Sequence, residues 1–154
     1  MGEATGTIVA ICTSASRGVQ KKPVESARLV EGFGIEGDAH GGNWHRQVSL
    51  LAEESIAKIR ARGVAVASGA FAENIATAGI DLMALRVGDR LLAGDAELEV
   101  TQIGKECHTR CAIYEQAGDC VMPREGIFAR VVRGATIRPG DRLTVGSAAG
   151  SRAE

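Results

Sequence analysis

The sequence is poor in aromatic residues and in proline. Its 154 residues include three phenylalanines, one tyrosine, one tryptophan and three prolines. Proteins that bind single-stranded nucleic acid stack the bases on aromatic side chains spaced among basic ones, so the low aromatic content excludes a surface of that kind. The core must instead be built from valine, isoleucine, leucine and alanine, and the twenty glycines predict many tight turns.

The sequence also lacks an excess of charge and a long apolar run. Eighteen basic and nineteen acidic side chains give a net charge of −1, which leaves no overall field to attract nucleic acid or an anionic membrane. Any anion must therefore be bound by a local pocket. The N-terminal apolar run, residues 8–12, is too short for a signal sequence or a membrane span. We therefore expect a cytoplasmic protein.

The four cysteines lack the paired C-x-x-C spacing of zinc knuckles and thioredoxin-like redox sites. Because cytosolic thiols stay reduced, Cys12, Cys107, Cys111 and Cys120 are expected to be buried thiols, ligands or nucleophiles and not disulfide partners. Cys12 lies in an apolar run, which predicts a buried thiol. Zinc held by several thiols and a histidine stays open as an alternative.

Short apolar runs between glycine turns predict a mainly β protein of the α+β type. They lie at residues 7–12, 46–50, 90–93, 98–103, 127–132 and 143–145. Residues 52–62 show a helical pattern, in which Ile56 and Ile59 share one face and Gly63 provides the stop. Together these patterns predict a sheet curled into a small barrel, with one main helix packed outside and further short helical segments.

A single domain over residues 1–154 is the expected organisation, because a chain of this length buries a core without help from disulfides or metals. The core is predicted at about residues 7–146. Residues 147–154 are small and polar and are expected to fray. Short edge strands and an apolar composition are consistent with a homodimer.

Polar and thiol side chains concentrate in two glycine-rich segments, residues 34–49 and 104–126. All three histidines and three of the four cysteines lie in them. Polar groups are costly to bury without partners, so this segregation indicates a functional site.

Cys111 is the candidate nucleophile or soft-metal ligand, because Arg110 precedes it and nearby cations favour the thiolate. A small thiol packed in the core is the alternative. His40 and Asp38 lie together in "GDAH", where Asp38 would fix the tautomer of His40. A hydrogen-bonded structural histidine is an equally good interpretation of His40.

Three arginines are candidate ligands for an anion, since a guanidinium gives planar bidentate bonds to phosphate and other oxyanions. They are Arg46, Arg124 and Arg130. Ordinary solvent-exposed arginines are the alternative. Glu73 and Asn74 stand between apolar residues, where such a polar pair either satisfies backbone groups or faces a ligand.

In order along the chain, several segments resemble the MOSC domain, named for the C-terminal domain of molybdenum cofactor sulfurase. They are "GIEGDAHGG", "HRQVSLLAEESI", "GAFAENIATAGID", "VGDRL", "LEVTQIGKECHTRCAIYEQAGDCVMPREGIFARVV" and "PGDRL". The resemblance covers about residues 8–145. The chain is similar to the small stand-alone bacterial members and shows neither a pyridoxal-phosphate desulfurase module nor a second β-barrel domain.

This resemblance implies a β-barrel-like fold and a function in molybdenum cofactor chemistry or sulfur handling. It implies that the protein binds the anionic molybdenum-pterin cofactor and carries sulfur, as a persulfide, or ligates molybdenum through one cysteine. The family cysteine follows an Arg or Pro and precedes an apolar residue, which selects Cys111 in "TRCAI". Cys107 is a second candidate metal ligand. The pocket residues that carry over are Asp38, His40, Arg46, Glu73, Asn74 and Arg130.

The sulfur source or electron donor would then be another protein, such as a cysteine desulfurase or a molybdoenzyme or reductase partner. A sulfur carrier or transferase and a molybdenum-cofactor-dependent component are both consistent with this. The alternative is a non-catalytic, zinc-stabilised or adaptor module that docks on cofactor-synthesis enzymes. A hydrolase or transferase that uses His40 and Asp38 as a base pair is a third interpretation.

Overall fold

The computed structural model describes residues 5–15, 21–39, 41–61, 63, 73–103 and 126–146. Strands predominate in these ranges. They are β1 (Thr5–Thr13), β2 (Lys22–Val24), β3 (Ala27–Val30), β4 (Gly34–Ile35), β5 (Val48–Ala52), β6 (Ile75–Ala78), β7 (Arg90–Ala93), β8 (Ala96–Ile103), β9 (Ile127–Arg133), β10 (Ala135–Ile137) and β11 (Arg142–Gly146). The α-helix α1 (Glu53–Arg60) and a short 3-10 helix (Leu82–Ala84) complete the described elements.

Seven of the strands close into a barrel. Their hydrogen-bonded order is β1, β6, β5, β9, β8, β7 and β11, and β11 pairs back onto β1. Within this ring β5 and β6 run parallel, and the other pairs are antiparallel. Closure removes the free sheet edges that promote aggregation. β2 extends the sheet beyond β1, and β10, β3 and β4 form a separate three-stranded sheet.

Aliphatic side chains fill the barrel interior. Ile11, Leu50, Ile75 and Ile127 are fully buried and are register partners across four neighbouring strands. Burying each such side chain contributes about 1.5–3 kcal/mol relative to leaving it exposed. The interior is therefore a packed core, and it agrees with the aliphatic composition of the chain.

The helix α1 packs against β5 and β6 on the outside of the barrel. It has two glutamates in its first turn and Lys58 and Arg60 in its last turn, which is the arrangement that the helix dipole favours. No helix among the described residues is long and apolar enough to cross a membrane.

The predicted barrel with one main helix outside it is confirmed. The prediction placed a strand at residues 46–50, but β5 begins at Val48 and continues to Ala52. Five strands were not predicted: β2, β3, β4, β6 and β10. Each is only two to four residues long, and strands this short give at best a weak pattern in the sequence.

Candidate functional site

The candidate site lies on the outer wall of the barrel. On β9, Ile127 and Ala129 belong to the barrel core, so alternation along the strand places Phe128 on the outer face. Ser49 is the register partner of Phe128 on β5 and faces outward as well. Both residues are nevertheless buried, with 2% and 1% exposure. Other parts of the protein therefore cover this region of the wall.

Five residues form a continuous line across this covered wall, and we call them the outer row. They are Gln102, Phe128, Ser49, Asn74 and Cys12. Strand register joins Gln102 to Phe128 and Phe128 to Ser49, and hydrogen bonds join Ser49 to Asn74 and Asn74 to Cys12. The outer row thus connects the end of β8 with the end of β1.

Asn74 is fully buried and forms hydrogen bonds with its two neighbours in the outer row, Ser49 and Cys12. Its Oδ1 accepts hydrogen bonds from the Ser49 backbone N–H at 2.9 Å and the Ser49 hydroxyl at 3.2 Å. Its Nδ2 donates to the Cys12 carbonyl at 3.1 Å, and the Cys12 N–H donates to the Asn74 carbonyl at 2.7 Å. These described contacts of Asn74 satisfy Ser49 and the backbone, which is one of the two roles that its sequence context allowed.

Asp38 forms a buried ion pair with Lys21 next to the outer row. The Lys21 Nζ donates to the Asp38 carboxylate at 2.8 Å, and both side chains are fully buried. Lys21 also donates to the Ser14 hydroxyl at 3.0 Å, while the Ser14 N–H donates to the same Asp38 oxygen at 3.0 Å. These bonds fasten the first glycine-rich segment to the end of β1. His40 lies outside the described residues, so its pairing with Asp38 stays a prediction.

Cys12 is a buried free thiol, as predicted. Burial, and next the negative charge of the fully buried Glu73, raise the pKa of Cys12 from 9.0 to about 12, while the positive charge of Lys21 acts in the opposite direction. Cys12 is therefore a neutral thiol near pH 7 and a poor nucleophile.

We expect Cys12 to resist alkylation by iodoacetamide in the native protein at about pH 8 and to react once urea unfolds the chain. The raised pKa also makes the free energy of unfolding depend on pH. The contribution of the Cys12 thiol is complete below its unfolded pKa of 9.0 and is lost as the pH rises towards its folded pKa of about 12. Mass spectrometry of the Cys12 peptide measures the labelling. Equal labelling rates in native and unfolded protein would contradict the burial of this thiol.

Arg46 brings the first glycine-rich segment to the start of the second. Its guanidinium carbon lies 5.3 Å from the centroid of the Phe128 ring, and its Nε donates to the Gln102 side-chain oxygen at 3.0 Å. The His45 Nε2 lies 2.9 Å from the same oxygen, and the Thr101 hydroxyl donates to the His45 carbonyl. These contacts place Arg46 and His45 beside the end of β8, and Gln102 precedes residue 104 by two positions in the sequence.

Arg130 lies on the same outer face of β9, but its charge is compensated. Its Nε donates to the Glu99 carboxylate at 2.6 Å, and its side chain is about half exposed. This pairing makes Arg130 a weaker candidate for an anion ligand than Arg46. The other predicted site residues, Cys107, Arg110, Cys111 and Arg124, lie outside the described residues.

Residues that could hold a metal do not cluster in the described part of the chain. No group of three or more His, Cys, Asp or Glu side chains there has the geometry of a metal site. Neither Lys21 nor Gln102 could be identified as a site residue from the sequence. Lys21 is followed by a second lysine, a pattern that normally indicates solvent exposure, and a lone glutamine near the end of a strand gives no signal at all.

Comparison with known proteins agrees with a small barrel of this kind. The sequence model of the MOSC domain matches residues 36–144. The chain therefore belongs to the MOSC domain family, which makes it a molybdenum-cofactor-related domain. No curated protein sequence gives a significant match.

Three solved structures share the fold. The YUAD protein from Bacillus subtilis has a TM-score of 0.78 and 20% identity, over 94% of this chain and 97% of that chain. YiiM from Geobacillus stearothermophilus has a TM-score of 0.71 and 21% identity, over 92% of this chain and 75% of that one. YiiM from Escherichia coli has a TM-score of 0.65 and 19% identity, over 96% and 70%. At these identities the likeness concerns the fold.

Proposed function

We propose that the protein binds the molybdenum-pterin cofactor, or a related anionic ligand, beside the outer row, and that Cys111 carries sulfur or ligates the molybdenum. The observation that supports this most is that Arg46 is half-buried next to a neutral hydrogen-bond partner. Its guanidinium lies over the Phe128 ring and bonds a neutral amide, where a carboxylate would have cancelled its charge.

Arg46 has the chemistry that the phosphate of such a cofactor requires. Its Nε is used by Gln102, whereas its two Nη atoms have no hydrogen-bond partner among the described residues. The N–H groups of the two Nη atoms can donate to two oxygens of one phosphate. When bound, the molybdenum centre would supply atom-transfer and electron-transfer chemistry. The chain itself would bind and orient the phosphate through Arg46.

Sulfur transfer to Cys111 needs no external oxidant. The Cys111 thiolate would attack the terminal sulfur of a persulfide on a donor protein, such as a cysteine desulfurase. A new sulfur–sulfur bond forms on Cys111, the donor's sulfur–sulfur bond breaks, and the donor leaves as a thiolate. Arg110, the neighbouring residue in sequence, favours the thiolate form that attacks. If Cys111 instead ligates molybdenum, the partner is a molybdoenzyme or reductase component.

The sulfur-carrier role is tested by mass-labelling persulfides on the protein after exposure to a cysteine desulfurase and cysteine. We expect the Cys111 peptide to gain the mass of one sulfur atom and to lose it after treatment with dithiothreitol. Cys111→Ser should abolish the adduct, and the matched variant Cys107→Ser should retain it. A wild-type protein that stays as unmodified as Cys111→Ser would contradict this role.

A further inference from the structure

Arg46 differs from the neighbouring arginines of the barrel wall in the charge of its partner. Those arginines form ion pairs with glutamates of β8: Arg90 and Arg133 share Glu97, at 2.7 and 3.2 Å, and Arg130 bonds Glu99 at 2.6 Å. The Arg46 Nε instead donates to the uncharged side chain of Gln102 at 3.0 Å. Arg46 therefore keeps a hydrogen bond at Nε, but no carboxylate of the described residues pairs with it.

This difference leaves a net positive charge in a half-buried place. Water solvates such a guanidinium poorly, and an uncompensated charge is costly to bury. The face of the Phe128 ring, 5.3 Å from the guanidinium carbon, offsets only part of that cost. An anion that reaches the two Nη atoms would supply the missing charge.

The strand pairing fixes the guanidinium before any ligand arrives. Gln102 and Phe128 are register partners on β8 and β9, so the acceptor and the ring that contact Arg46 belong to one rigid ladder. The Gln102 oxygen also contacts the His45 Nε2 at 2.9 Å, which restrains the amide further. Such preorganisation reduces the entropy lost on binding.

Asp38 and Glu73, the buried carboxylates among the described residues, act on other groups. Asp38 is bonded to Lys21 at 2.8 Å, with both side chains fully buried. Glu73 is also fully buried, and its negative charge acts on the Cys12 thiol. Neither carboxylate is a described hydrogen-bond partner of Arg46.

We propose that Gln102 is a specificity-determining positioning residue: its neutral amide holds Arg46 in place without neutralising it, so that the Nη atoms bind one phosphate-type oxyanion. A glutamate at position 102 would make the same hydrogen bond and fill the same space, but its negative charge would neutralise Arg46 and weaken the binding of an anion. The inference deepens the proposed function and rests on it for the identity of the whole ligand. The oxyanion subsite itself follows from the contacts of Arg46.

The test compares the isosteric variant Gln102→Glu with the wild type, using inorganic pyrophosphate as the probe and isothermal titration calorimetry at low salt. We expect Gln102→Glu and Arg46→Gln each to weaken pyrophosphate binding at least tenfold. Thr136→Glu, which adds the same charge at an exposed position on β10, should change it less than twofold. The melting temperature of Gln102→Glu should equal or exceed that of the wild type, because the variant gains an ion pair with Arg46.

The inference is overturned if the wild type binds no pyrophosphate, or if Gln102→Glu binds it as tightly as the wild type. It is also overturned if the affinity falls only together with the melting temperature, because that result would assign Gln102 a purely structural role. A separate titration with molybdopterin distinguishes this inference from the proposed function. If pyrophosphate binding depends on Gln102 and Arg46 but molybdopterin does not bind, the proposed function fails and the oxyanion subsite stands.

Discussion

Replacing Lys21 with methionine is expected to lower the free energy of unfolding by about 3–5 kcal/mol, because it leaves the carboxylate of Asp38 buried without its cation. Methionine keeps most of the apolar stem of lysine, so the change isolates the ammonium group. That group bonds Asp38 at 2.8 Å and the Ser14 hydroxyl at 3.0 Å. Urea denaturation monitored by circular dichroism measures the loss. Since small domains are stable by only about 5–15 kcal/mol, the variant should be studied at low temperature.

The double variant Lys21→Met, Asp38→Asn is the control for this prediction. An asparagine at position 38 can still accept the Ser14 N–H, which bonds the Asp38 oxygen at 3.0 Å, and it carries no charge. Because it removes the buried negative charge that has lost the Lys21 ammonium, the double variant should recover most of the lost stability. A single variant that loses less than about 1 kcal/mol, as is typical of exposed pairs, would contradict the burial of this ion pair.

Replacing Asn74 with leucine is expected to cost about 2–5 kcal/mol of stability. Leucine has a similar volume but leaves the Ser49 N–H and the Cys12 carbonyl without their Asn74 side-chain partners, and each buried polar group left unsatisfied costs about 1–3 kcal/mol. Chemical denaturation measures the effect. The exposed Asn43 provides the comparison, because Asn43→Leu should change the stability by less than about 0.5 kcal/mol. Similar losses for the two variants would show that Asn74 is not the link between β5 and β1.

The barrel could be predicted from the sequence because six of its seven strands overlap an apolar run between turns. β7 was predicted with its observed bounds, and β8 and β9 differ from the predicted runs by one or two residues. The separate sheet of β10, β3 and β4 could not be predicted, because strands of two to four residues are stabilised by their tertiary partners and not by a local pattern.

The candidate site was predicted in part, for a similar reason. The two glycine-rich segments were recognised by composition, but the contact between Arg46 and Gln102 joins residues 56 positions apart. Only the register of β8, β9 and β5 brings them together. The burial of Lys21 likewise depends on where Asp38 lies in three dimensions. Residue types thus indicated which kind of chemistry to expect, while the pairing of the strands determines which side chains meet.

The most direct measurement of the central claim is the cofactor content of protein purified gently from a host that makes the molybdenum cofactor. Elemental analysis reports molybdenum and zinc, and the fluorescence of oxidised pterin reports the organic part of the cofactor. We expect molybdenum and pterin in the wild type, a large loss of both in Arg46→Gln, and a loss of molybdenum or of bound sulfur in Cys111→Ser. Wild-type protein that holds stoichiometric zinc, contains no pterin and unfolds with a chelator would contradict this expectation, and would favour a zinc-stabilised adaptor module instead.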